Sequence, residues 1–211
     1  MMGDDGQKNV DLPPGVDHWP GYLNPESQQK LVALVRQNLA LAPLFTPRMP
    51  RTGKPMSVRM TNFGRLGWVT DQNRGYRYQD SHPETGQPWP TMPKVLLDLW
   101  RDLSGHGRPP QACLVNYYED GAKMGLHQDR DESVFDAPVL SVSLGNTCLF
   151  RVGGSKRGGK TTSFKLCSGD VMMLSGPSRL AYHGVDHIYG DTSGLLKNGG
   201  RLNLTLRRVT A

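Results

Sequence analysis

Apolar residues recur at helical spacing in two places in the first half of the chain. Leu31, Leu34, Val35 and Leu39 share one face; Asn24-Pro25 ahead of them offers a capping side chain and then a proline at the first helical position, and Ala42-Pro43 ends the run. Leu96, Leu99, Trp100 and Leu103 form a second such face after Met92-Pro93, with Gly105 and Gly107 beyond its end. Both predict helices laid against a sheet. Residues 45–91 hold strand-like pieces (MSVRMTN, WVT, YRY) broken by proline and glycine, which predicts a mobile surface feature. From Ala112 onward the pattern changes to short strands separated by turn residues: ACLVNYY, VLSVSLG, CLFRV, TTSFKL, DVMML, RLAYHGV and RLNLTLRR. Such regular short strands predict a mainly β fold with flanking helices, either a sandwich or a jelly-roll barrel. The polar, glycine- and proline-rich residues 1–15 read as a flexible N-terminus, leaving 16–211 as a single domain.

Composition narrows the class. A chain of 211 residues suffices for one well-buried core and is too short for two full catalytic domains. No stretch approaches the roughly 20 apolar residues that span a bilayer, and MMGDDGQKNVDLPPG lacks the basic and apolar regions of a signal peptide. A cytoplasmic protein without membrane contact is expected, with a monomer as the default. Cys113, Cys148 and Cys167 are odd in number, far apart and set in apolar runs, which predicts buried thiols and neither disulfides nor a thiolate metal site. A net charge of +6 and a pI near 9.3 favour a polyanionic partner, because each neutralised phosphate releases counterions. Basic balance alone is as common in proteins that never touch nucleic acid.

The candidate chemistry begins at His127-Gln128-Asp129. On a strand, residues two apart face one side, so an imidazole and a carboxylate can converge on one ion. His183, in SRLAYHGV, supplies a second imidazole. Two histidines and one carboxylate form the facial triad of non-haem iron(II), although catalytic zinc accepts the same ligands. An isolated histidine is more often an ordinary core residue. In Arg201-Leu202-Asn203-Leu204-Thr205-Leu206-Arg207, leucines occupy one face and Arg, Asn, Thr, Arg the other. By pattern alone the polar face fits a solvent-facing edge strand better than a site. Two arginines on one face would also grip a small dicarboxylate, each through a two-pronged hydrogen bond. Asn116 and Tyr118, two apart in LVNYY, offer further donors to carboxylate oxygens or a plain polar pair at a strand end.

Taken in order, N-x-Y, H-x-D, a distant His and R-x-N-x-T-x-R resemble the AlkB family of alkylated-base dioxygenases. The likeness runs from Met56 to Arg208 through MTNFGRLGW, GQPWP, ACLVNYYEDGAK, LHQDRDES, SVSLG and SRLAYHG. It implies a double-stranded β-helix (jelly-roll) core over 112–208, with an N-terminal nucleotide-recognition lid over 45–91. It also implies iron(II) held by His127, Asp129 and His183, with 2-oxoglutarate and O2 as co-substrates. The family pattern places Arg201 and Tyr118 on the distal carboxylate, Arg207 and Asn116 on the metal-proximal one, and Asn203 and Thr205 along the same pocket.

Substrate residues carried over by the resemblance are Trp68, Tyr76, Arg77 and Tyr78 for the base and its flanking phosphates, Asp131 for the base edge, and Arg157 as a basic loop contact. The implied reaction is oxidative dealkylation of N-alkylated bases, such as 1-methyladenine and 3-methylcytosine, releasing formaldehyde, succinate and CO2. The implied partner is single- or double-stranded DNA, with RNA left open. Three alternatives stand beside it: a 2-oxoglutarate-dependent hydroxylase of a protein or small molecule, a zinc hydrolase, and a non-catalytic module that binds single-stranded nucleic acid by stacking.

Overall fold

The computed structural model describes residues 11–211, so residues 1–10 of the expected flexible N-terminus lie outside it. Residues 13–15 are tied down: Ser175 N donates to Gly15 O and Ser178 Oγ to Pro14 O, both at 2.8 Å.

Two antiparallel sheets face each other. The major sheet runs β1 (Val16–Trp19), β10 (Val171–Leu174), β7 (Val139–Gly145), β12 (Arg201–Arg207), β5 (Ala112–Tyr118), β2 (Val58–Gly64). The minor sheet runs β6 (Met124–His127), β11 (His183–Ile188), β8 (Cys148–Val152), β9 (Thr162–Leu166). A separate hairpin pairs β3 (Gly67–Asp71) with β4 (Gly75–Gln79). This is a double-stranded β-helix with two helices behind the major sheet.

Alternation along the strands divides the interior into two layers. Leu202, Leu204 and Leu206 of β12, with Leu140, Val142 and Leu144 of β7 and Val115 of β5, pack under helices α1 (Pro25–Leu41) and α2 (Lys94–Leu103). Leu114, Val139, Phe150, Phe164 and Leu174 fill the space between the sheets. The helices form where the pattern predicts. Asn24 caps α1 by accepting the Ser27 amide at 2.9 Å, worth about 1 kcal/mol, while Leu31, Val35, Leu96 and Trp100 are buried.

Three placements depart from the sequence pattern. β12 is an inner strand, bonded to β7 and β5, so its polar face looks into the space between the sheets and not into solvent. β2, drawn from the segment expected to be a surface feature, is a largely buried strand of the major sheet paired along β5. Cys167 is exposed, whereas Cys113 and Cys148 are buried. No helix among the described residues is long and apolar enough to cross a membrane.

The hairpin is held by its root. A Cβ on Gly67 would sit 2.4 Å from the Trp89 ring, so only glycine lets the chain pass there. Beside it the Asn62 side chain accepts from Trp68 N at 3.1 Å and donates to Trp68 O at 3.2 Å, fixing the backbone of that tryptophan.

Candidate metal and co-substrate site

His127 ends β6 and His183 begins β11, and the two are direct partners across the ladder. Asp129 lies past the end of β6 in an irregular segment, so that segment brings it in, not the two-residue strand spacing that first suggests the pair. Ligand atoms of the three residues all fall within 4.8 Å of one another. Asp129 Oδ1 is 3.8 Å from His127 Nε2, and Oδ2 is 3.8 Å from His183 Nε2. Nδ1 of His127 faces Gly125 O and Nδ1 of His183 faces Ala181 O, each at 2.9 Å. Carbonyl acceptors place a proton on each Nδ1 and turn both Nε2 atoms toward the carboxylate, the orientation metal ligation requires.

Burial alone would raise the Asp129 pKa. Arg207, His183 and His127 outweigh it and hold the carboxyl well below its ordinary range. Arg207 donates to Asp129 Oδ2 through Nε at 3.1 Å and Nη2 at 2.7 Å. Burial, reinforced by His127, lowers the His183 pKa to about 4, so the ring is neutral at physiological pH.

Beside the triad the buried donors are under-used. Arg201 is 1% exposed and has no acidic partner among the described residues. Its Nη2 donates to Ser143 Oγ at 2.8 Å and Nη1 makes 3.4 Å contacts to the Asn146 and Leu166 carbonyls, while Nε has no partner among the described residues. Arg207 Nη1, a donor, and Asn116 Oδ1, an acceptor, are also buried with no partner among the described residues. Burial raises the Tyr118 hydroxyl pKa, so it remains a donor, and among the described residues its hydroxyl meets only Met124 Sδ, at 3.8 Å. A buried guanidinium without a counter-charge is costly, and an anionic ligand removes that cost. Asn203 donates to Ser141 Oγ at 2.6 Å and accepts from Thr205 Oγ1 at 2.8 Å, so these two brace the wall of the pocket.

All these groups line one cavity of about 900 Å³. Trp68, Tyr76 and Tyr78 of the hairpin line it too, with Asp131 and Arg157. Trp68 stacks on Tyr76, ring centroids 5.7 Å apart, and donates its indole N–H to Asp131 Oδ2 at 2.7 Å. Arg157 sits over the Tyr182 ring at 5.1 Å. Arg77 does not join them. It alternates to the far face of β4, where it pairs with Asp71 at 2.7 Å and donates to Gly75 O. The sequence reading missed Glu132, whose side chain is 1% exposed and lines the same cavity.

The 2OG-Fe(II) oxygenase superfamily model matches residues 15–207. An alpha-ketoglutarate-dependent dioxygenase AlkB homolog of Caulobacter vibrioides is 55% identical over 202 residues, 96% of this chain and 91% of that protein. The chain belongs to the AlkB family of iron(II)- and 2-oxoglutarate-dependent dioxygenases. Alpha-ketoglutarate-dependent dioxygenase AlkB of Escherichia coli is 44% identical over 161 residues, 74% of each chain. The solved structure of OsALKBH1 superposes with a TM-score of 0.78 at 30% identity, covering 93% of this chain and 98% of that one.

An AlkB-family enzyme uses iron(II), 2-oxoglutarate and O2, and the donors present fit them. Two imidazoles and one ionised carboxylate suit iron(II). The charge of Arg201 and its unpaired Nε, with the unpaired Nη1 of Arg207, suit a small dicarboxylate. The neutral His183 also has a consequence for the metal-free protein. Between pH 6.5 and about 4 the unfolded chain takes up a proton that the folded chain refuses. Stability is therefore lost as pH falls through that window, by up to about 3 kcal/mol. Thermal melts of chelator-treated protein from pH 7 to 4 should show this slope, and His183→Leu should lack that part of it. An unchanged slope in the variant would assign it to another group.

Proposed function

We propose that this enzyme oxidatively removes alkyl groups from nitrogen atoms of nucleic-acid bases, 1-methyladenine and 3-methylcytosine being the expected types, in DNA, with RNA open to the same contacts. The observation that carries the reading is one cavity with the His127, Asp129, His183 cluster and a stacked aromatic pair, Trp68 on Tyr76, among its lining residues. A net charge of +6 and rim residues Arg51, Lys123, Arg130 and Arg157 favour a polyanion over a neutral metabolite or a protein side chain.

His127, Asp129 and His183 would hold the iron. Arg201 with Tyr118 would take the distal carboxylate of 2-oxoglutarate, and Arg207 with Asn116 the proximal one. When bound, the metal and co-substrate supply oxidation of a C–H bond by O2, coupled to decarboxylation to succinate. The chain supplies position. A base turned out of its strand stacks on Trp68, a contact worth roughly 1–3 kcal/mol that does not read sequence. Asp131 spends one oxygen on the Trp68 indole and has no other hydrogen-bond partner among the described residues, leaving an acceptor for the base edge. Methylation at adenine N1 or cytosine N3 makes the base cationic, so that carboxylate favours the lesion over its neutral parent. Hydroxylation at an N-methyl carbon gives a hemiaminal, which sheds formaldehyde without further help.

Asp131→Ala should lower formaldehyde release from oligonucleotides carrying 1-methyladenine by roughly tenfold, the size of one charged contact, while the 2-oxoglutarate KM stays near wild type. Equal loss in both would place Asp131 in the co-substrate site instead. The reading itself is tested in an oxygen electrode: methylated oligonucleotide should accelerate 2-oxoglutarate-dependent uptake, and equal stimulation by the unmethylated strand would exclude base dealkylation.

A further inference from the structure

We propose that Glu132 is a positioning residue that sets the geometry of Asp129 and Arg207 and links it, through the Tyr78 hydroxyl, to the β3–β4 hairpin. This rests on the assignment of Asp129 to the metal made above. Glu132 and Asp129 are the carboxylates of a buried four-charge cluster whose cations are Arg179 and Arg207. Glu132 Oε2 lies 3.3 Å from Arg179 Nη2, and Oε1 lies 3.5 Å from Arg207 Nε. Arg207 grips the Asp129 side chain at 2.7 Å, while Arg179 Nη1 donates to the Asp129 backbone carbonyl at 2.8 Å and Nε to Ala137 O at 2.8 Å. The candidate ligand is thus held at both ends by two arginines that share Glu132.

The charge count explains why a second carboxylate is needed. A metal ion would draw on the Asp129 charge, and Arg207 would then lose part of the compensation that Asp129 gives it. Glu132 keeps both guanidiniums paired in a medium where an unpaired charge is expensive. It also accepts the Tyr78 hydroxyl at 2.5 Å, and Tyr78 belongs to the hairpin that carries Trp68. Burial and the adjacent Glu132 raise the Tyr78 pKa, so that hydroxyl stays a donor. The hairpin position is thereby registered on the carboxylate that braces the metal ligand.

The test is titration of the metal-free full-length protein with Co(II) alone, read by its visible absorption. Outer partners of metal ligands commonly change metal affinity 10–100-fold. Glu132→Gln should weaken Co(II) binding at least tenfold and alter the spectrum, and Glu132→Asp should recover part of both. Tyr78→Phe, which removes one hydroxyl and no charge, should shift the spectrum in the same direction by a smaller amount, and it carries the test if the Glu132 variants do not fold. A folded Glu132→Gln with wild-type affinity and spectrum overturns the positioning role. An unchanged spectrum in Tyr78→Phe overturns the link to the hairpin. If Asp129→Ala binds Co(II) as the wild type does, the metal assignment itself falls; if it loses Co(II) while Glu132→Gln does not, only the present inference falls.

Discussion

Replacing His127, Asp129 or His183 by alanine is expected to reduce succinate formation from 2-oxoglutarate to background. The three variants should not be equivalent in stability. The His127 side chain is 37% exposed, so His127→Ala removes a ligand with little effect on folding. Asp129→Ala strips a buried carboxylate from Arg207, and breaking such a pair costs about 3–5 kcal/mol. His127→Ala is therefore the decisive variant: folded protein, lost metal, no succinate. Succinate measured by mass spectrometry alongside metal content per chain checks it, and full turnover in that variant would remove His127 from the site.

The second large effect concerns Arg201. Its guanidinium is buried without a carboxylate partner among the described residues, so the metal-free, ligand-free protein carries a charge that the fold does not compensate. Arg201→Met should abolish measurable 2-oxoglutarate binding without lowering the melting temperature, because the residue removed was stabilised by ligand and not by the protein. In the wild type, 2-oxoglutarate at a hundred times its Kd should add about 2.7 kcal/mol of stability; in the variant it should add none. A variant that melts far below wild type would show that the Ser143, Asn146 and Leu166 contacts, and not the anion, carry this arginine.

The helices were legible because Asn24-Pro25 and Met92-Pro93 mark their starts and Leu31, Val35, Leu96 and Trp100 repeat on one face. Their signals are local. The seven short core strands were legible as strands for the same reason, although β11 begins only at His183: Arg179 and Leu180 lie in a turn and Ala181 and Tyr182 in irregular chain. The rank of a strand within a sheet is not local. A face of Arg, Asn, Thr and Arg looks the same whether it meets water or a polar cavity, and only the seven-residue pairing of β12 with both β5 and β7 distinguishes them. β2 was hidden by its polar residues: Thr61 and Asn62 are fully buried, the first satisfied by Ala42 O and the second by the Trp68 backbone.

The same logic sorts the site. His127, Asp129, His183, Asn116, Tyr118, Arg201 and Arg207 were found through a motif order, and the structure gathers all of them on one cavity. Glu132 was invisible because an acid inside DRDES reads as a solvated charge; its burial depends on Arg179, 47 positions away. Arg77 was misplaced for the opposite reason, since being flanked by two cavity tyrosines on a strand puts it on the other face.

The most direct measurement of the central claim is a product balance. Protein reconstituted with iron(II) and 2-oxoglutarate without air is exposed to O2 with an oligonucleotide bearing a single 1-methyladenine, and strand mass, succinate and formaldehyde are read together. One methyl lost, one formaldehyde and one succinate per strand is the expected result. Succinate that forms at the same rate while the strand keeps its mass would contradict it.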